Sequence, residues 1–172
     1  MTKNSVIAEP LSRLMIRDVA NQIRGLLNLS DKYYFPIVPF IENIMPQLYD
    51  DFYCEIVEVS EMKDCYAEAL PQLNLIRIRE DVYEDALNNV GRHRFTLAHE
   101  VGHFILHGEG RIALARVDNI SIPKYRQPEW QANTFAGELL IPAALVKNKT
   151  VDEVIELCGV SATVAQIQLS TL

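Results

Sequence analysis

Arg94-Phe95-Thr96-Leu97-Ala98-His99-Glu100-Val101-Gly102-His103-Phe104-Ile105-Leu106-His107 is the stretch that decides how the rest of this sequence is read. All four histidines of the chain fall within 93–107, and three of them, His99, His103 and His107, are spaced by four. Residues i and i+4 share a helix face about one turn apart, so His99 and His103 can grip one zinc ion. Glu100 is turned about 100° from His99. There it stands beside the reacting water rather than on the metal, placed to take a proton as general base.

A His-Glu-x-x-His pattern arises by chance in under about 1% of chains of this composition. On a helical projection Leu97, Val101, Phe104 and Ile105 form an apolar back, while Phe95 and Leu106 flank the histidine front. The polar face is therefore expected to line a groove; the plainer reading is a solvated helix face with an incidental carboxylate. His107 lies about 12 Å along the axis from His99, too far for three histidines to meet one ion comfortably. The longer pattern with Gly at 106 and His at 109 is absent, since Leu106 and Glu109 stand there. His107 is expected at the helix C-terminus, where the macrodipole favours it.

The third ligand must come from another element. Pro128 predicts the first turn of a helix that runs to the Ile141-Pro142 break. With Glu129 at the origin, Asn133, Ala136, Gly137 and Leu140 fall within about 80° of it, and the two small residues would let another helix approach closely. Glu138, the rival carboxylate, falls about 180° away and is expected in solvent. Glu129 is thus the expected ligand; the plainer reading makes it a first-turn acid complementing the helix dipole.

Around these two helices, residues 11–29 carry a helical apolar period in Leu14, Ile16, Val19, Ile23, Leu26 and Leu27. Tyr33-Tyr34-Phe35-Pro36 reads as an aromatic loop on the core rather than a substrate patch, and Pro39 opens a short helix to residue 48. Residues 54–59, 65–70 and 73–78 predict three short strands in an antiparallel meander. Helices are expected at 81–88, 91–107, 128–141, 150–158 and 161–169. Gly108 and Gly110 end the second of them, 108–127 is otherwise loop, Gly159 is a stop and Ser161 a cap. The fold class is α+β: a short three-stranded antiparallel sheet packed against helices that include the active-site helix. A single domain over 1–172 is expected, with an N-terminal helix and loop at 1–35, a catalytic core at 36–142 and a helical tail at 143–172.

The 172 residues are 49% hydrophobic and 23% charged, the make-up of an ordinary globular domain. A net charge of −7 supplies no basic field for a phosphate backbone, so no direct nucleic-acid binding is expected. The apolar run 139–146 is broken by Pro142 and is less than half of the ~20 residues a membrane span needs. Residues 1–20 mix Glu9, Arg13, Arg17 and Asp18 into their apolar positions, unlike a secretory leader. Cys54, Cys65 and Cys158, odd in number and without C-x-x-C spacing, are expected as reduced thiols in a cytoplasmic protein. The acidic clusters Asp50-Asp51 and 81–85 are expected to be solvated.

Both blocks, 94–107 and Glu129-Trp130-Gln131-Ala132-Asn133-Thr134-Phe135-Ala136-Gly137-Glu138-Leu139-Leu140-Ile141-Pro142, resemble signatures of the ImmA/IrrE-type metallopeptidases, gluzincin-like enzymes of bacteria, phages and mobile elements. Weaker similarity at Pro36-Ile37-Val38-Pro39 and 73–79 extends the resemblance over most of 36–142. It implies a small zincin-like domain with Zn2+ held by His99, His103 and Glu129, Glu100 as base, and Asn133 as a partner behind the ligands. It also implies a substrate: a helix-turn-helix DNA-binding repressor, whose cleavage releases genes for mobile-element transfer, phage induction or stress response.

The tail Leu157-Cys158-Gly159-Val160-Ser161 matches a helix-turn-helix-like segment of that family, with Gln168 where a basic residue is common. Residues 151–172 contain no Lys or Arg, so the tail is expected to pack on the body or dock a repressor rather than read DNA. The sensor domain sometimes appended in the family's longer members is not expected within these 172 residues. The expected function is a zinc endopeptidase, with His93, Tyr125 and His107 all open as the oxyanion-stabilising group. A regulatory module that binds a repressor or toxin without cutting would have no use for Glu100 between two ligands. A structural zinc site wants four protein ligands, and three suit here, with no cysteine near them.

Overall fold

The computed structural model describes residues 4–108, 112–116 and 122–172. Strand β1 (Asn4–Ala8) is followed by helix α1 (Arg13–Leu26) and by a helical stretch made of α2 (Ile37–Pro39), a π-turn (Phe40–Ile44) and α3 (Met45–Leu48). Strands β2 (Tyr53–Val57), β3 (Ala67–Leu70) and β4 (Leu75–Arg79) come next, then helices α4 (Glu80–Leu87) and α5 (Gly91–Leu106). Strand β5 (Ile112–Arg116), α6 (Pro128–Leu140), α7 (Ala143–Val146), α8 (Val151–Cys158) and α9 (Ala162–Leu169) complete the chain. The helix end expected at Gly110 lies outside the described residues, and α5 stops at Leu106.

Local chemistry sets these boundaries. The Ser12 hydroxyl accepts the Met15 N–H at 3.2 Å to start α1, and Ser161 does the same for Val164 at 3.3 Å to start α9. Thr150 and Glu153 form a reciprocal capping box on α8, which Gly159 closes in the left-handed region at φ 64°. Pro128 opens α6, as its missing N–H allows. The short helix expected to open at Pro39 begins two residues earlier, at Ile37, with Pro39 inside its first turn.

The sheet is mixed, which corrects the expected antiparallel meander. Its order is β2-β4-β3, with β2 parallel to β4 and β3 antiparallel to it. Burial explains the order: β4 carries Leu75, Ile76 and Ile78, all buried, and takes the centre, whereas β2 is largely exposed and β3 largely half-buried, and they take the edges. The expected loop 108–127 contains β5, which pairs antiparallel with β1, so the chain's beginning also holds a strand. Each is five residues long, too short to show a decisive alternation.

The core lies where α5 and α6 cross. Leu97, Ala98 and Val101 of α5 meet Phe135, Ala136 and Leu139 of α6, with Ile76 and Ile78 of the sheet on one side and Ile37, Phe40, Ile41 and Met45 on another. Helix α6 is buried along most of its length, because α1 covers the side away from α5, and it is open only on the Glu129 and Asn133 side. That corrects the expectation for Glu138, which is 1% exposed and held by Arg13 Nη1 at 3.0 Å and Arg17 Nε at 2.8 Å. Arg94 is buried too, and its guanidinium donates to the carbonyls of Phe35 and Gly159 at 2.9 and 2.8 Å, fixing α5 to the aromatic loop and to the end of α8.

Candidate functional site

Glycine sets the distance between the two helices that bear the site. A Cβ on Gly102 would stand 3.0 Å from the Phe135 ring and 3.2 Å from the Ala132 backbone, so α6 lies directly on α5 between His99 and His103. Gly91 makes a different close contact, at the start of α5, where a Cβ would fall 2.5 Å from the Val160 backbone between α8 and α9. The Gly102 contact allows the first turn of α6 to reach the histidine face.

His99, His103 and Glu129 come together there, with one ligand atom from each within 4.8 Å of the others. The two Nε2 atoms are 2.9 Å apart, Glu129 Oε2 is 3.4 Å from His99 Nε2, and Oε1 is 3.2 Å from His103 Nε2. A tetrahedral zinc site with bonds of about 2.0–2.1 Å separates its ligands by about 3.3 Å. The spacing of this donor set therefore fits the ion.

Hydrogen-bond accounting identifies the nitrogens that face the cluster. The Gln131 amide donates to the carbonyls of Glu9 and Tyr125 at 2.7 and 2.8 Å, which leaves its Oε1 turned to His107 Nε2 at 2.8 Å. That nitrogen must carry the proton, so in a neutral His107 the Nδ1 is bare and accepts from His103 Nδ1 at 3.0 Å. His103 Nε2 is then a free lone pair. His99 reaches the same state because its Nδ1 donates to Asn133 Oδ1 at 3.0 Å. Two bare nitrogens and a carboxylate converge with no donor between them among the described residues, a donor set whose chemistry suits a cation.

Burial favours these neutral rings. It pushes His103 down to about 3, and it lowers His99 and His107 as well, against the opposing pull of Glu129 on both. His107 stands at the C-cap of α5, where it was expected, but not as a charge on the helix dipole: it is 1% exposed and sits behind His103 with both ring nitrogens engaged. Sequence reasoning missed Gln131, which bears no charge and stands just two residues beyond Glu129. Its signal was its place on the buried side of α6, which becomes visible once α1 covers that side.

Glu100 faces a cleft of about 410 Å3 between α5 and the edge of the sheet, lined by Ala67, Ala69 and Gln72 among others. Its Oε2 accepts the Ala69 N–H at 2.8 Å. Burial raises this carboxyl to about 7, the Ala69 bond opposes that, and the charges of Glu129 and Glu68 add to it. The Tyr66 carbonyl accepts from Arg79 in β4, so strand alternation turns the backbone of Ala67 and Ala69 away from β4 and toward α5. Of the open oxyanion candidates, His93 Nδ1 lies 2.8 Å from Asp85, His107 is engaged as above, and Tyr125 has a half-exposed side chain.

A helix-borne His-Glu-x-x-His with a carboxylate on the crossing helix is the arrangement of a peptidase site, and the family comparison points to the same class. The IrrE N-terminal-like domain of the M78 peptidases matches residues 61–170, which include α5, α6 and every residue of the cluster. The chain belongs to this ImmA/IrrE-type peptidase family. No curated protein matches it.

Proposed function

We propose that the protein is a zinc-dependent endopeptidase, with His99, His103 and Glu129 as ligands, Glu100 as general base and Asn133 orienting His99. The observation that carries this reading is the convergence of three acceptors next to a carboxylate that also borders the cleft. Bound there, zinc would supply Lewis acidity to the scissile carbonyl and to the attacking water. Glu100 would take the proton of that water and deliver it to the leaving amide nitrogen. The outward N–H and carbonyl of Ala67, with the carbonyl of Ala69, whose N–H is held by Glu100, would keep the substrate chain extended alongside β3.

The substrate we propose is a helix-turn-helix repressor of a mobile element, phage or stress regulon, met in the cytoplasm. Support comes from the family alone. No helix among the described residues is long and apolar enough to cross a membrane. A tagged Glu100→Gln variant expressed in the native host tests the reading, since Glu100 is not a ligand and its loss should leave metal binding intact. An intact repressor retained on the variant, and cut by the wild type, is the expected result. The same partner recovered uncut with both would instead mark a binding module that does not cleave.

A further inference from the structure

A second cavity of about 410 Å3 lies between α5, α6 and α9, with Phe95, Trp130, Val164 and Ile167 on its walls. Phe95 precedes His99 by one turn, Trp130 adjoins Glu129, and Asn133 lines the cavity while holding His99 Nδ1 at 3.0 Å. The two cavities therefore meet across the His99–Asn133 hydrogen bond. We infer that this second cavity is a substrate subsite, taking a bulky apolar side chain beside the scissile bond. The inference rests on the peptidase reading above and extends it to the chemistry of the residue recognised.

Three features of the cavity select that occupant. Its walls are mostly apolar, and Ile167 is 60% exposed beside it, an apolar surface that gains from being covered. Arg13, the one charged residue among the lining residues described, is committed to Glu138, so the cavity has no free charge for an ionic side chain. Gln168 lines it as well, is 3% exposed, and its Nε2 has no acceptor among the described residues. A buried amide without a partner is costly, and a peptide carbonyl arriving with the apolar side chain is the acceptor it lacks. Helix α9 thereby becomes a wall of the substrate site rather than a DNA-reading element.

The test is a cleavage-site profile. Zinc-loaded wild type, Val164→Trp and Ile167→Asp are each incubated with peptides from a digested bacterial proteome, and the new ends are read by mass spectrometry. Wild type should favour Leu, Ile, Met or Phe over Ala by tenfold or more at one position adjoining the cut. Val164→Trp should shift that position to small residues, and Ile167→Asp should flatten the preference there. Ile167 is exposed, so its variant keeps the test open if Val164→Trp does not fold. No apolar preference in wild type, or the same preference in both variants, overturns the subsite. Zinc-loaded wild type that cuts nothing overturns the peptidase reading, and the subsite with it.

Discussion

At the residue scale the site divides into groups that hold and groups that react. Glu100→Gln should keep the metal and lower cleavage by about 10²-fold or more, the usual loss when a general base is removed; metal content and turnover measured on one preparation separate the two effects. The chain Gln131–His107–His103 makes a different forecast. His107→Phe or Gln131→Leu should weaken metal binding by about 10–100-fold, as loss of a partner behind a ligand does, read by competition with a chromophoric chelator. Unchanged affinity in both would remove that chain from the account. The mutual placement of His99, Glu100 and His103 was legible because the period of one helix fixes it, and Glu129 was legible only through its place on the packed face of a second helix. Gln131 and the Ala69 N–H were not, since neither is reactive and each matters only through a partner distant in sequence.

At the scale of the elements, everything depends on how closely α5 and α6 cross. Gly102→Val would put methyl groups where a single Cβ already stands 3.0 Å from Phe135. The expected cost is about 1–3 kcal/mol, measurable by urea unfolding, with a loss of metal affinity as Glu129 is moved off the histidine face. Wild-type stability and affinity together would show that the crossing has slack that the structure does not display. Helices were readable from caps and period, as at Ser12, Thr150 and Ser161. The sheet was readable as three strands but not in its order, because strand pairing depends on which strand is most deeply buried, and β4 shows this only once α4 and α5 pack against it. Strands β1 and β5 pair Asn4 with Arg116 and Ala8 with Ile112, a partnership across the chain that no local pattern announces.

Across the whole molecule, α1 is joined to the catalytic helices by charge as well as by packing. Removing both Arg13 and Arg17 leaves Glu138 buried and unpaired. Arg13→Ala/Arg17→Ala should therefore cost about 3 kcal/mol, against at most about 1 kcal/mol for a surface pair. The thiols give a pH dependence. Burial pushes Cys158 up to about 11 and Cys54 up to about 12, from an ordinary value of 9.0. Above pH 9 the unfolded chain ionises these groups first and so binds fewer protons than the folded one, which makes stability fall as pH rises from 9 toward 11. Chemical unfolding at pH 8 and pH 10.5 should show the lower midpoint at the higher pH, and substitution of both cysteines should reduce the difference.

The central claim is that α5 and α6 are packed so as to hold one zinc on His99, His103 and Glu129, and zinc per chain after exhaustive dialysis tests it most directly. The account predicts one equivalent in the wild type and in Glu100→Gln, and well under one in His99→Ala, His103→Ala and Glu129→Ala. A wild type that retains no zinc, or a Glu129→Ala variant that retains the full equivalent as tightly, would contradict it.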